Sequence, residues 1–286
     1  MLLAPKNPSP VFHIEGHSSI YSSRLKRLVT IDLFLPAAYP YSRKKYPFLI
    51  LNDGQDAEAL RLKSTLSRLT KTGQMQEIIV FAIHAGDRMQ EYGVSSQPDY
   101  KKRGAKAKLY SAFITEELMP LLTSNFRLDL NSGRNTIAGF SLGGLSAFDI
   151  GWNHPVWFQR VGVFSGSLWW RSRGYDDGFD EKRLRILHSV VRSSALLDSP
   201  KGVALRRQLK FWFEAGTLDE VADRNHNGVI DSIDDTLDLI SELVKNGYRP
   251  YRDIEYVEIK NGKHDQQTWM KALPLFLKWG FGVNGS

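Results

Sequence analysis

Residues 134–151 read RNTIAGFSLGGLSAFDIG. A short apolar run ending at Phe140 passes directly into Ser-Leu-Gly-Gly and then into apolar positions at helical spacing, the pattern of strand, tight turn and helix. Gly139, Ser141 and Gly143 stand at G-x-S-x-G spacing, and on such a turn a serine is lifted above the end of a sheet. Glycine at 139 and 143 lets strand and helix approach without Cβ clashes. Ser141 is expected in a strained backbone conformation, with the helix N-terminus favouring developing negative charge beside it. The plainer reading is a Gly-rich turn whose serine caps a helix. The surrounding chain has to decide between them.

Working outward, further apolar runs of strand length lie at 28–36, 47–52, 77–84, 160–166, 209–216 and 252–259. Helical periods fall at 57–70, 106–124, 142–153, 180–196, 233–246 and 266–279. Pro120 is expected to bend or end the second of these. Strands alternating with helices imply an α/β fold, a mostly parallel central sheet flanked by helices on both faces, and continuous apolar strands suit a sheet covered on both sides. No repeat, low-complexity tract or linker divides the 286 residues, so residues 1–286 are expected to form one domain. In such sheets functional residues gather at the carboxyl ends of the strands.

Composition narrows the classes. Hydrophobic residues make up 42% and charged residues 24%, ordinary for a globular protein. The absence of cysteine rules out disulfides, thiolate metal sites and a cysteine nucleophile. No apolar run approaches the ~20 residues of a membrane span, so no membrane partner is expected. The opening MLLAPKNPSPVFHIEG is too short in apolar length for a secretion signal. A cytoplasmic location is expected on that ground, or a periplasmic or secreted one if a signal is removed upstream. The net charge of +7 is scattered, as in RSRGYDDGFDEKRLR, without a basic helix or a basic-aromatic repeat. A solvated positive surface is expected rather than a nucleic-acid partner. Oligomeric state is not legible in the sequence.

A serine hydroxyl needs a base, usually histidine held by a carboxylate, and in enzymes with this turn the acid and then the histidine follow the serine along the chain. Among the seven histidines, His264 fits best, in the loop NGKHDQQTW between the last strand and the last helix. The acid should follow the strand LKFWFEAG. Asp219 is the candidate there, with Glu220 in reserve, and Glu214 is still within the strand. Two N–H donors for an oxyanion are expected from the backbone of Leu142, next after the serine, and of Gln55, in the turn Asp53-Gly54-Gln55-Asp56.

Taken together, LNDGQD, AIHAGDRMQEYG, Y-x-x-F-x-x-x-E-L-x-P at 110–120, GFSLGG, FSGSLWW, AGTLDE and GKHDQQTW resemble, in this order, an esterase family. That family is similar to enterochelin esterases, feruloyl and acetyl-xylan esterases, S-formylglutathione hydrolase and the mycolyltransferases. The resemblance runs from about residue 28 to 280. It implies an α/β-hydrolase fold, a Ser141–Asp219–His264 triad and an oxyanion hole from Gln55 and Leu142. By position it also implies that Arg88, Glu91, Tyr92, Trp169 and Trp170 border the substrate pocket.

The segment 214–235, EAGTLDEVADRNHNGVIDSIDD, gathers seven carboxylates (Glu214, Asp219, Glu220, Asp223, Asp231, Asp234 and Asp235) in a basic chain. Numbering Asp223 as one, Asn225, Asn227, Asp231 and Asp234 fall at three, five, nine and twelve. Gly228 falls at six, and Val229 offers its carbonyl at seven. This is an EF-hand-like calcium loop inserted at 223–234, with aspartate in place of glutamate at twelve. A structural Ca²⁺ is expected, pinning the loop that carries Asp219, and no cofactor for catalysis. The overall expectation is a serine carboxylic ester hydrolase acting through an acyl-enzyme on a siderophore, a feruloyl or acetyl carbohydrate, or another small ester. The alternatives are an acyltransferase on the same scaffold or a non-catalytic, calcium-dependent binding protein.

Overall fold

The computed structural model describes residues 11–13, 18–174, 184–197 and 200–283. One nine-stranded sheet runs through it. Its strands are β1 (Val11–His13), β2 (Ser18–Ser22), β3 (Arg27–Pro36), β4 (Phe48–Asn52), β5 (Ile79–Ile83), β6 (Thr136–Phe140), β7 (Arg160–Phe164), β8 (Lys210–Leu218) and β9 (Ile254–Lys263). The order is β1-β3-β5-β4-β6-β7-β8-β9, with β2 also paired to β3. Pairings that involve β3 are antiparallel, and every pairing from β5 to β9 is parallel. An antiparallel flank on a parallel sheet, with the serine turn after the central β6, is the α/β-hydrolase arrangement that the resemblance implies.

Alternate strand residues face opposite sides, and each side has its own core. On one side Ile50, Phe81, Ile137, Val161, Phe211 and Phe213 pack under helices. Those helices are α3 (Ala107–Ala112), α4 (Met119–Asn125), α5 (Leu142–Asn153), α6 (Ile186–Leu197) and α8 (Asp231–Lys245). On the other side Leu51, Val80, Phe140, Phe164 and Trp212 pack under α1 (Leu62–Lys71) and α9 (Gln266–Phe281). Two short helices, α2 (Arg88–Glu91) and α7 (Pro200–Arg206), complete the list. Burial on both faces is the physical reason β4, β5 and β6 read as unbroken apolar runs.

Pro120 does not end its helix. The segment continues to Asn125, because a π-helical stretch, Phe113–Leu118, joins α3 to α4 and places Pro120 in the first turn of α4. The change to π-helical bonding just before Pro120, with Met119 N–H reaching back to the Ile114 carbonyl, accommodates a residue that has no N–H to give. The expected helix at 180–196 begins within residues outside the description, and its described part is α6. Strand β2, with the polar sequence SSIYS, had no expectation behind it.

Candidate active site

Ser141 stands between β6 and α5 with φ 54° and ψ −118°, a strained conformation costing roughly 1–3 kcal/mol. The backbone around it is fully committed. Its N–H donates to the Phe164 carbonyl at 2.8 Å, and its own carbonyl accepts from Leu145 and Ser167 N–H, each at 3.1 Å. The glycines are needed for close approach. A Cβ at Gly139 would lie 2.3 Å from the Gly143 carbonyl oxygen, and one at Gly143 would lie 2.1 Å from Asp53 Oδ2. The side-chain hydroxyl of Ser141 is half-buried and lies 3.3 Å from Ser167 Oγ.

Asp219 directly follows β8, and His264 directly follows β9. Strand β8 runs two residues beyond the expected end, with a register shift against β9 between Gly216 and Leu218. Asp219 Oδ2 lies 3.3 Å from His264 Nδ1, with the carboxylate side chain 2% exposed and the imidazole 40% exposed. Oδ1 accepts the Ser165 hydroxyl at 2.9 Å. The imidazole meets the Trp269 indole edge to face, ring centroids 5.3 Å apart. Nearby, Glu214 is buried in β8, and its carboxyl is pushed up to about 8 by burial first and by the charge of Asp219 second. Glu220 is half-buried and raised for the same first reason. It is Asp219, not Glu220, that reaches the imidazole.

The turn after β4 lies against the serine turn because β4 and β6 are parallel neighbours. Asp53, not Gly54, adopts the left-handed conformation that makes this turn (φ 62°). Gly54 is needed for a different reason, since a Cβ there would lie 2.5 Å from the Ala82 backbone. The Gln55 side chain is fixed at both ends, its amide donating to Asp53 Oδ1 at 3.2 Å and its carbonyl accepting from Ala85 N–H at 3.1 Å. Leu142 is the first residue of α5, where a backbone N–H has no intrahelical acceptor.

The residues expected to border the pocket divide. Arg88 is one-third exposed. Its Nε donates to Asp53 Oδ1 at 2.8 Å, and its Nη2 donates to the Phe140 carbonyl at 3.0 Å. It therefore ties the turn after β4 to the residue before Ser141. Burial of Asp53 pushes its carboxyl up, against the opposing pull of Arg88. Trp169 is half-buried, with the Arg103 guanidinium 4.6 Å from its ring centre. Glu91, Tyr92 and Trp170 correct the expectation, for all three are buried. Glu91 is held by Arg27 through two hydrogen bonds of 2.7 and 2.5 Å. The Tyr92 hydroxyl accepts from Asp53 N–H at 3.1 Å, and the Trp170 ring fills the space beside Gly93 and Gly104. These three shape the scaffold under the site.

In the acidic loop, Asp223, Asn225, Asn227 and Asp234 turn toward one another. Asp223 accepts from Asn227 N–H at 3.2 Å and Gly228 N–H at 2.9 Å. The side-chain amides of Asn225 and Asn227 reach Asp234 Oδ2 at 2.8 and 2.9 Å. Gly228 sits at φ +85°, the sharp turn expected of position six. Asp231 departs from the expected ligand set. Its Oδ1 accepts from Arg224 N–H at 2.8 Å and pairs with the Arg224 guanidinium at 3.2 Å. No group of three or more His, Cys, Asp or Glu with metal-holding geometry occurs among the described residues. The side-chain oxygens of Asn225 and Asn227 accept from Asn227 N–H at 3.1 Å and Val229 N–H at 2.7 Å.

Two residues near the site escaped the sequence reading. Ser165 contacts the Asp219 carboxylate, and Trp269 contacts His264. The only signal for either was its place within a quoted motif, FSGSLWW for Ser165 and GKHDQQTW for Trp269.

A family model described as "Putative esterase" matches residues 22–279. Iron(III) enterobactin esterase of Escherichia coli (strain K12) is 28% identical over 154 residues, covering 54% of this chain and 36% of that protein. The uncharacterized protein YbbA of Bacillus subtilis (strain 168) is 24% identical over 144 residues, covering 49% and 57%. The matched stretches thus span little more than half, or less, of these curated relatives. Among solved structures, the enterobactin esterase of Shigella flexneri in the presence of enterobactin superposes with a TM-score of 0.70 at 21% identity, covering 96% of this chain and 59% of that one. A ferulic acid esterase gives 0.67 at 19% identity, covering 96% and 99%. At such identities the superpositions establish the fold alone. The family match covers nearly the whole described chain, and the chain belongs to that esterase family.

Proposed function

We propose that the protein hydrolyses carboxylic esters through an acyl-enzyme on Ser141, with His264 as general base and Asp219 as its orienting acid. The observation that carries this reading is the 3.3 Å contact between Asp219 and His264 Nδ1, made at the same end of the sheet as the strained serine turn. In this reading Nδ1–H is turned to the carboxylate 3.3 Å away, and Nε2 takes the Ser141 proton as Oγ attacks the acyl carbon. His264 returns that proton to the departing alcohol and then takes one from the water that releases the acid. The oxyanion is stabilised by Leu142 and Gln55 N–H. The fixed Gln55 side chain and the Arg88 tie between the two loops support that assignment.

The substrate in this reading is a small ester with an aromatic acyl or alcohol part. The half-buried Trp169, two residues after Ser167, offers an aromatic surface, with the Arg103 guanidinium over its ring held by Asp99, and two structural neighbours are named for enterobactin and ferulic acid esters. The acidic loop binds a structural Ca²⁺ through Asp223, Asn225, Asn227 and Asp234, with the Val229 carbonyl, while Asp231 serves the loop through Arg224. The ligand-type spacing of these residues, with Gly228 at the turn and Asp234 brought back beside Asn225 and Asn227, supports this reading. The experiment for the main claim is Ser141→Ala assayed on p-nitrophenyl acetate. A loss of about 10⁴-fold or more in turnover is expected; retention of most activity contradicts the proposal.

A further inference from the structure

Around the base and acid runs a closed circuit of contacts. His264 touches Asp219 Oδ2, Asp219 Oδ1 accepts the Ser165 hydroxyl at 2.9 Å, Ser165 Oγ accepts the Trp269 indole N–H at 3.0 Å, and the Trp269 ring returns to His264. Ser165 and Trp269 are both buried. Ser165 is also held in a left-handed conformation (φ 43°), with its N–H donating to the Glu214 carbonyl at 2.8 Å. Two residues on, Ser167 bonds the Ser141 hydroxyl. A single short loop after β7 therefore touches the nucleophile with one serine and the acid with the other.

We propose that Ser165 and Trp269 form a clamp that positions the Asp219–His264 pair, the indole N–H setting the direction of the serine hydroxyl and the hydroxyl fixing one carboxylate oxygen so that the other faces the imidazole. A serine hydroxyl carries one proton. With an indole N–H occupying a lone pair of Ser165 Oγ, that proton is directed elsewhere. Two carboxyl oxygens compete for it, Asp219 Oδ1 at 2.9 Å and Glu214 Oε2 at 3.5 Å. The nearer belongs to the charged partner, and charge-assisted hydrogen bonds are the stronger kind. Burial keeps Glu214 protonated at neutral pH, which leaves one negative charge to be directed rather than two. The imidazole is 40% exposed. Ser165 and Trp269 act through Asp219 and His264 and are positioning residues. Their role rests on the proposed triad.

The test is Ser165→Ala, Trp269→Phe and the double variant, with Ser141→Ala as reference. Phenylalanine keeps an aromatic face against His264 and Phe140 while deleting the N–H. Each single variant is expected to lose about 10- to 100-fold in kcat, as misplaced catalytic groups do, with KM within about twofold. Because both side chains act on one hydroxyl proton, the double variant should lose little more than either single variant. Ser165→Gly, which suits the positive φ, makes the same deletion should Ser165→Ala fail to fold, and it decides the matter alone if Trp269→Phe does not fold. Folded hydroxyl-deleted protein with unchanged kcat, or losses that multiply in the double variant, overturns the clamp. If instead Ser141→Ala itself stays active, it is the triad reading that fails.

Discussion

Glu214 supplies a prediction whose size follows from its surroundings. Its carboxyl is 1% exposed, one of its oxygens, Oε1, has no hydrogen-bond partner, and Asp219 stands close by. Burial first, and that neighbouring charge second, raise it from 4.5 to about 8. A raised carboxyl stabilises the fold fully below the unfolded value and loses that contribution as pH climbs through the folded value. Between these limits the native protein holds a proton that the unfolded chain has released, at about 1.4 kcal/mol per pH unit. From pH 5 to pH 8 the loss comes to about 3 to 4 kcal/mol. Glu214→Gln cannot titrate and should not show it. Urea unfolding of both proteins, followed by tryptophan fluorescence at several pH values across that range, reads the difference directly. The variant should gain on the parent by that amount between the ends of the range. A difference that stays constant with pH would mean that Glu214 is ionised in the native protein, and the single-charge picture of the acid site would be wrong.

Gly143→Ala should fail in a defined way, because its Cβ would lie 2.1 Å from the buried Asp53 carboxylate. A stability loss of about 1–3 kcal/mol or more, together with greatly reduced turnover, is expected from calorimetry and kinetics, and near-parental behaviour would contradict the close-approach argument. Arg88→Ala strips Asp53 of its cation and frees the Phe140 carbonyl. A destabilisation of about 2–4 kcal/mol is expected in urea, and Asp53→Asn in the same background should recover part of it; no recovery would count against an uncompensated buried charge as the cause. For the acidic loop, saturating Ca²⁺ should raise Tm, since an ion at 100 times its Kd adds about 2.7 kcal/mol, and Asp223→Ala should abolish that response. A parental Tm indifferent to both excess calcium and chelator would remove the metal from the account.

The central strands were legible because each is buried on both faces, so that Phe48–Asn52, Ile79–Ile83 and Thr136–Phe140 carry almost nothing polar. The polar β2 pairs only with β3 at the sheet's flank, and its SSIYS carries no apolar signal. The serine turn was legible for a local reason, as its glycines and its serine all lie within five residues. Side-chain direction was not. Glu91, placed at the pocket by the family resemblance, ends helix α2, and its partner Arg27, 64 residues away, draws it inward. Asp231 matched position nine of a metal loop, yet Arg224 within the same loop claims it. Ser165 bears on Asp219 only because β7 and β8 are neighbours, a fact of sheet order that spacing along the chain does not carry.

The most direct measurement is mass spectrometry of the protein after exposure to a fluorophosphonate. The account predicts one covalent adduct, located on the peptide containing Ser141, formed as activity is lost and much slower to form in His264→Ala. An enzyme that stays active and unmodified, or an adduct on another residue with Ser141 intact, would contradict it.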